Sequence, residues 1–314
     1  MTILIKSILL QQMRHILDVA SLTEKAVHTI FLKALQYKHL SRPSPIAKTN
    51  TVISTMFFEH STHTQMSFQT AAYRLGANVL NYDQTTSSEQ PRETIEDTVT
   101  TMSQYADVLV IRHPRQGIFN YLSKYSTVPI INAGDGTGEH PTQALLDVFT
   151  MQPYIDKRPR TVITFAGDLK NSRAVHSTLT LLDKLYNNLE FHLVQENELS
   201  LDYWYTMNLR NPCYEHTELD HTIENSDILY MTRVQTENID ETRYLPKSKN
   251  VLTKSLLDKS KPNMIVLHPL PRTYELPTEI DNDPKCKFVE QMRNGICVRM
   301  AILDYVLTNP RSNP

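Results

Sequence analysis

The chain is poor in glycine. Seven glycines in 314 residues fall well below the average usage of about 7%, and three of the seven lie in one stretch, NAGDGTGEHPTQ. Glycine is retained where a backbone turns tightly or approaches another group closely. The sequence therefore predicts a tightly turning loop in this stretch.

Cysteine is scarce as well. Cys213, Cys286 and Cys297 form no CxxC motif, and three thiols cannot all pair with one another. We interpret them as reduced thiols, which are typical of a cytosolic protein. The cysteines therefore predict a cytoplasmic location.

The chain also lacks an excess of positive or negative charge, and it has no long apolar run. It has 32 basic and 34 acidic residues and no run of five basic residues, so no general field attracts nucleic acid or anionic lipid. No stretch reaches 18 consecutive apolar residues, which argues against a membrane span. The apolar start, MTILIKSILLQQM, contains Lys6 and precedes no small-residue cleavage site, so it favours an amphipathic helix over a signal peptide.

What the chain does contain is a regular alternation of two kinds of segment. Its length allows two domains, and its 40% hydrophobic and 21% charged residues are typical of a globular protein. Short β-branched runs alternate with longer helical patterns, as in parallel sheets covered by helices on both faces. The predicted fold class is α/β, with two doubly wound parallel-sheet domains. The predicted strands are TVISTMFF, DVLVIRH, VPIINA, TVITFAGD, EFHLVQE, DILYMTR and MIVLHPLP.

The domain boundary is predicted at the polar stretch YIDKRPR, residues 154–160, which is a candidate hinge. The first domain is then 1–153 and the second 154–288. The last helix, within 289–314, is expected to pack back on the first domain.

Chemically interesting residues follow the predicted strands. In open α/β sheets, ligands bind beyond the carboxyl ends of the strands. The residues in question are 61–64, Arg112, His113, His140, Asp168, Arg233 and 269–272.

Two of the motifs have an ordinary structural interpretation when taken alone. In STHT, Ser61 or Thr62 is a typical helix N-cap, although the free N–H groups and the dipole of a helix start also attract an anion. In HPTQ, the proline is a typical first residue of a helix, and a lone His140 is more often structural than functional. Neither motif predicts a function by itself.

Taken together and in order, the motifs resemble aspartate transcarbamoylase. The set is FxE-x-STxT with RLG, VIRHP, NAGDGTGEHPTQALLD, GDLKNSRAVHS, YMTRVQ and HPLPR with EI, and it runs from about Ile16 to about Leu307. Two stretches, TSSEQPRET and MSQYADVLVIRHP, resemble most the aspartate transcarbamoylase domain of animal pyrimidine-synthesising polypeptides. The sister family, ornithine transcarbamoylase, has HCLP in place of HPLP and lacks the TRVQ arrangement, so the amino-acid side resembles the aspartate type.

The resemblance implies the aspartate/ornithine carbamoyltransferase fold, with one domain for carbamoyl phosphate and one for aspartate. It also implies a homotrimer with active sites between subunits. The implied reaction transfers a carbamoyl group to the amine of aspartate, in pyrimidine biosynthesis, without metal or cofactor.

Residue roles follow from the resemblance by position. The first domain supplies a phosphate cradle and groups that hold and polarise the carbamoyl carbonyl, and the second supplies the aspartate site. The cradle is Ser61, Thr62 and Thr64; the carbonyl groups are Arg112, His140 and Gln143; and the aspartate site is Arg173, Arg233 and Gln235, with Pro269 and Leu270 acting through their backbones. The chemistry of these residue types agrees, because arginine forks pair with carboxylates and a neutral histidine polarises a carbonyl.

The phosphate cradle departs from the family pattern at its centre. The family motif is STRT, whereas this chain has His63 in the arginine position and His60 where the family has proline. Histidine is shorter, donates at most one hydrogen bond to a given ligand and is mostly uncharged at neutral pH. Removing one such electrostatic group typically lowers an enzyme's rate by ~10²–10³.

A mobile loop departs from the pattern independently. The family has a sequence resembling QKGE, whose lysine enters the neighbouring subunit's site. Here Pro91 stands in the lysine position and Arg92 in the glycine position, while Ser87 is retained. Proline carries no charge and fixes φ, so the loop is expected to have lost its cation unless Arg92 replaces it.

These losses fall on catalytic cations and favour a catalytically impaired homologue, a pseudoenzyme that persists as a folded trimer or as a regulatory partner in a mixed trimer with an active relative. Two alternatives remain open. One is an active aspartate carbamoyltransferase, with His63 protonated and Arg92 in place of the lysine. The other is a transcarbamoylase of changed substrate.

Overall fold

The computed structural model of the chain describes residues 14–39, 50–82, 93–234 and 250–308. The helix predicted at the start of the chain, residues 1–13, lies outside these ranges. So do Ser87, Pro91, Arg92 and Gln235.

Helices and strands alternate along the described chain, as the sequence pattern predicts. The helices are α1 Glu24–His39, α2 Thr62–Arg74, α3 Ile95–Tyr105, α4 Phe119–Leu122, α5 Pro141–Ile155, α6 Arg173–Leu185, α7 Lys254–Asp258 and α8 Phe288–Leu307. The strands are β1 Val52–Phe57, β2 Asn78–Tyr82, β3 Val108–His113, β4 Ile130–Asp135, β5 Thr161–Gly167, β6 Leu189–Val194, β7 Cys213–His216, β8 Ile228–Thr232 and β9 Ile265–Leu267. Short 3₁₀ turns lie at Asn197–Leu199, Tyr203–Tyr205, Leu219–His221 and Thr278–Ile280.

The chain divides into two compact units. Among the described residues, those up to Leu146 and those from Asn294 onward form unit 1, and Asp147–Arg293 form unit 2. The division falls inside α5 and inside α8, whereas the sequence predicts boundaries after residues 153 and 288. Those boundaries remain a prediction.

Unit 1 contains a four-stranded parallel sheet in the order β2-β1-β3-β4. The inner strands are β-branched and apolar, and Leu109, Ile111 and Ile130 are fully buried in its core. The C-terminal part of α8 belongs to this unit. There Arg299 Nη1 donates to Ser67 Oγ at 2.8 Å, and Tyr37 donates to Asp304 at 3.1 Å.

Unit 2 contains a five-stranded parallel sheet in the order β7-β6-β5-β8-β9. Its central strand β5 is buried along its whole length, as expected for a parallel strand that is covered on both faces. The predicted fold class, two doubly wound parallel α/β domains, is confirmed.

No helix in the described ranges has the length and the apolar character that crossing a membrane requires.

Candidate active site

The first candidate element is the N-terminus of α2, which follows β1. Ser61 occupies the N-cap position, but within the described chain its side chain makes no capping hydrogen bond to the helix. Thr64 is buried, whereas Thr62 and His63 are exposed in the first turn. This helix start therefore presents N–H groups that no hydrogen bond of the helix uses, together with side-chain hydroxyls, which is the chemistry of an anion site.

Arg112 lies near the carboxyl end of β3 and is 8% exposed. Its Nη2 donates to Glu59 Oε1 at 2.6 Å. Parallel pairing aligns Phe57 of β1 with Arg112, which brings the residues just after β1 beside the guanidinium. Glu59 belongs to the FxE motif, but the sequence predicts no role for it, so this ion pair adds Glu59 to the candidate site.

The loop after β4 turns tightly, as its glycines predict. Asp135 Oδ1 accepts the Glu139 N–H at 2.5 Å and Oδ2 accepts the Gly117 N–H at 2.8 Å. Gly136 has φ +50°, and a Cβ there would lie 2.4 Å from the carbonyl oxygen of Pro114. Only glycine fits this position, because a side chain would meet backbone in a conformation it rarely adopts.

This loop delivers His140 and Gln143 to the start of α5. His140 is 5% exposed and Gln143 is 8% exposed. The His140 carbonyl accepts the N–H groups of Gln143 at 2.9 Å and Ala144 at 3.1 Å, so the residue is fixed as the cap of the helix. Its Nδ1 lies 3.4 Å from Thr142 Oγ1.

The predicted carbamoyl phosphate residues thus emerge from one edge of one sheet. The start of α2 follows β1, Arg112 ends β3 and His140 follows β4, and these three strands are neighbours. Parallel strands bring their carboxyl ends to the same edge. Three buried polar side chains and a helix N-terminus at that edge can bind an anion and polarise a carbonyl.

Glu139, beside His140, has an unusual environment. Burial, and to a smaller extent the neighbouring carboxylates of Asp18 and Asp135, raise the pKa of its carboxyl to about 7, against the opposing hydrogen bond from the Val19 N–H. That bond is 2.7 Å long. The carboxyl therefore titrates near neutral pH.

In unit 2, β5 leads into Arg173, the first residue of α6. Gly167 at the end of β5 has φ +118°, and a Cβ there would lie 2.0 Å from the carbonyl oxygen of Thr232. Thr232 in turn donates to Ser172 Oγ at 3.2 Å, and Ser172 caps α6 by accepting the Val175 N–H. The glycine thus lets β5 and β8 approach closely enough to fix the start of α6.

Arg233 follows β8 directly and is half-buried, as is Arg173. Pro269 and Leu270 follow β9, and Leu270 has φ 57°. Since β5, β8 and β9 are neighbours, the predicted aspartate residues also emerge at one strand edge. Gln235, Ser87, Pro91 and Arg92 lie outside the described residues.

No three histidine, cysteine or carboxylate side chains form a metal-binding group in the part of the chain that the structure describes.

Two family models match the chain. The aspartate/ornithine carbamoyltransferase carbamoyl-P binding domain matches residues 14–153. The aspartate/ornithine carbamoyltransferase Asp/Orn binding domain matches residues 160–306.

Individual relatives match over nearly the whole chain. The aspartate carbamoyltransferase catalytic subunit of Vibrio vulnificus strain YJ016 is 39% identical over 301 residues, which cover 94% of this chain and 96% of the relative. The catalytic subunit of M. jannaschii aspartate transcarbamoylase has a TM-score of 0.86 and 35% identity, covering 96% and 100% of the two chains. Aspartate transcarbamoylase from Trypanosoma cruzi, in complex with carbamoyl aspartate and phosphate, has a TM-score of 0.84 and 33% identity, covering 93% and 95%.

Proposed function

The chain belongs to the aspartate transcarbamoylase family, and we propose that it transfers the carbamoyl group of carbamoyl phosphate to the amine of L-aspartate. In this reaction the amine nitrogen attacks the carbonyl carbon, a C–N bond forms, and the bond from that carbon to the bridging oxygen breaks. The amine loses a proton and inorganic phosphate leaves. This activity is the one named for the relatives in both bacteria and Trypanosoma cruzi.

One observation carries the proposal. Arg112, His140 and Gln143 are each less than 10% exposed and lie at the carboxyl ends of neighbouring strands. Buried cationic and hydrogen-bonding groups stabilise charge that develops on a carbonyl oxygen far better than exposed ones do. A buried set of this kind suits the polarisation of a carbamoyl carbonyl.

Phosphate binding is assigned to the N-terminus of α2. Ser61, Thr62 and Thr64 offer hydroxyls, and the free N–H groups and the helix dipole favour a negative charge. His63 extends from the same turn and is exposed. When it is protonated it adds one positive charge to the cradle, whereas an arginine keeps its charge at all working pH values.

Aspartate binding is assigned to Arg173 and Arg233 in unit 2. Each guanidinium can hold one carboxylate through two parallel hydrogen bonds, and aspartate carries two carboxylates. Pro269 and Leu270 are assigned backbone contacts with the substrates. Gln235, assigned to the same site by resemblance, lies outside the described residues.

A second candidate function is favoured by the departures from the family pattern. His63 replaces the cradle arginine and Pro91 replaces the loop lysine, so the chain loses two cations that act through accurate placement of charge. The alternative is a pseudoenzyme that keeps the fold and acts as a trimer or as a regulatory partner of an active relative. The homotrimer, the mixed trimer, the role in pyrimidine biosynthesis and the cytoplasmic location remain predictions.

Ligand-induced stabilisation distinguishes the two candidates. A ligand at 100 times its Kd adds about 2.7 kcal/mol to the free energy of unfolding. We expect carbamoyl phosphate, and more strongly N-(phosphonacetyl)-L-aspartic acid, to raise the melting temperature, and we expect Arg112→Met to abolish both shifts. The absence of a shift with either ligand in the unmodified chain supports the pseudoenzyme.

A further inference from the structure

The loop after β9, residues 268–272, is held in an unfavourable backbone conformation. Leu270 is the one residue other than glycine with a positive φ, 57°, in the described part of the chain. L-residues with a side chain rarely adopt this region, and such a residue persists where its surroundings over-determine it. Some neighbouring group must therefore hold Leu270 in place.

His268 is that group. The Leu270 N–H donates to His268 Nδ1 at 2.9 Å. Because Nδ1 accepts this bond, the ring proton lies on Nε2, which donates to Glu275 Oε1 at 3.0 Å. Both ring nitrogens are thus engaged, and His268 and Glu275 are almost completely buried, with each residue 1% exposed.

Glu275 ties the other end of the loop to the same ring. Its Oε1 accepts the Thr273 N–H at 2.9 Å and its Oε2 accepts the Thr273 hydroxyl at 2.5 Å. Burial raises the pKa of the Glu275 carboxyl, but the hydrogen bonds from His268 and Thr273 outweigh it and set the pKa to about 2. Glu275 is therefore an ionised acceptor at neutral pH.

A second set of buried hydrogen bonds anchors His268 to the core of unit 2. The backbone N–H of His268 donates to Gln291 Oε1 at 2.9 Å, and Gln291 Nε2 donates to Asp147 Oδ1 at 2.6 Å. Asp147 also accepts the hydroxyl of Tyr230 at 2.7 Å and that of Thr178 at 3.2 Å. These residues come from α5, α6, β8 and α8, so the loop is held by four elements.

This arrangement decides which backbone groups the loop can offer to a ligand. Pro269 and Pro271 have no N–H, and the N–H of Leu270 is used by His268. From Pro269 to Pro271 the backbone therefore presents carbonyl acceptors and no donor. Such a segment suits a ligand that brings N–H groups, as an amine or a carbamoyl group does.

We propose that His268 is a positioning residue of the substrate site, which fixes the backbone of Pro269 and Leu270 for the N–H groups of the substrates while Glu275 fixes the ring of His268. This inference rests on the proposed function. His268 acts through the loop and has no direct contact with the reacting atoms.

Two substitutions of His268 each keep one of the two hydrogen bonds that its ring makes and remove the other. In His268→Asn the side-chain oxygen can take the place of Nδ1 and accept the Leu270 N–H. In His268→Gln the side-chain amide can take the place of Nε2 and donate to Glu275, which leaves Leu270 without its acceptor. The pair is matched in polarity, and far-UV circular dichroism and the urea midpoint check that both variants fold.

The first readout is hydrogen exchange at the Leu270 amide. Pro269 and Pro271 have no amide hydrogen, so in a peptide of residues 268–271 the one internal amide is that of Leu270. We expect exchange about tenfold faster in His268→Gln, which is the loss of one hydrogen bond, and near-normal protection in His268→Asn. Equal exchange in the unmodified chain and in His268→Gln overturns the proposal.

The second readout is the KM for aspartate, measured in the unmodified chain and in both variants. We expect the KM for aspartate to rise about tenfold in His268→Gln and to be largely restored in His268→Asn. An equal rise in both variants contradicts the proposal. If the unmodified chain shows no turnover, the proposed function fails, and amide exchange alone decides the positioning role.

A milder variant covers the case in which both substitutions prevent folding. Thr273→Val removes the exposed hydroxyl that donates to Glu275 and leaves His268 in place. We expect exchange at Leu270 to become about threefold faster, because Glu275 is then less constrained. Unchanged exchange in this variant counts against the proposal.

Discussion

Glu59 Oε1 lies 2.6 Å from Arg112 Nη2, so the cation assigned to the carbamoyl carbonyl is paired with a carboxylate of its own chain. The two side chains differ in burial, since that of Arg112 is 9% exposed and that of Glu59 is 33% exposed. An arginine that is buried to this degree loses more when its partner is removed than the better solvated glutamate does.

The first prediction concerns this ion pair. Glu59→Gln is expected to lower the free energy of unfolding by about 1–3 kcal/mol, because a buried guanidinium loses its carboxylate. Inorganic phosphate should then stabilise the variant more than the unmodified chain, since the anion takes the place of the carboxylate. Urea unfolding with and without phosphate measures both effects, and Glu93→Gln, on an exposed glutamate, is the control. A phosphate effect of the same size in all three chains contradicts the prediction.

The second prediction concerns the phosphate cradle. His63→Arg is expected to strengthen carbamoyl phosphate binding and to raise the transfer rate by ~10²–10³, which is the usual effect of one electrostatic group. His60→Arg is the matched control, because it adds the same charge at a nearby exposed histidine outside the STxT motif. Titration calorimetry and initial rates are the measurements. Equal gains from both substitutions indicate a general charge effect and contradict the assignment.

The third prediction concerns Glu139 and pH. Burial raises the pKa of this carboxyl from its ordinary 4.5 to about 7, so between these values the folded state binds more protons than the unfolded state. The contribution of Glu139 to stability is therefore complete below pH 4.5 and is lost as pH rises through 7.

Glu139→Gln should accordingly raise the free energy of unfolding at pH 8 by about 1–2 kcal/mol and give no gain near pH 4.5. The amide keeps an oxygen that can accept the Val19 N–H. Urea unfolding at pH 8, 7, 6 and 5 measures the difference between variant and unmodified chain, with the exposed Glu198→Gln as control. A difference that does not change with pH would falsify this account.

The fourth prediction concerns aspartate recognition. Arg233→Lys keeps the positive charge but loses the planar fork that holds a carboxylate through two bonds. We expect the KM for aspartate to rise about 10- to 100-fold, as for the loss of a hydrogen bond to a charged group, with carbamoyl phosphate affinity unchanged. Arg160→Lys, on a side chain that is 63% exposed and pairs with Glu190, should have no such effect. An unchanged KM for aspartate in Arg233→Lys contradicts the assignment of Arg233 to the aspartate site.

The fold was largely predictable because the inner strands are continuous β-branched runs. All seven predicted strands correspond to strands of the structure, but β2 and β7 were missed. Both lie at the edge of a sheet and are only partly buried, with exposed residues along each strand. An edge strand that faces solvent needs no apolar run, so composition carries little signal for it.

The places of candidate residues are predictable from the sequence where they lie at or beyond the end of an apolar strand. Arg112, His140 and Arg233 lie there in the structure, as predicted, and their roles remain predictions. Glu59, His268 and Glu275 were not assigned roles, because their contribution depends on a hydrogen-bond partner that only the fold identifies. The HPLPR motif contains His268, and its two prolines on either side of one amide are the sequence signal that could have indicated this contact.

The formation of carbamoyl aspartate tests the central claim most directly. Purified protein is incubated with radiolabelled carbamoyl phosphate and L-aspartate, and the acid-stable product is counted against samples without aspartate and against His140→Ala. The account predicts aspartate-dependent product from the unmodified chain, at a rate that His63→Arg increases and His140→Ala abolishes. No aspartate-dependent product from either the unmodified chain or His63→Arg would contradict it.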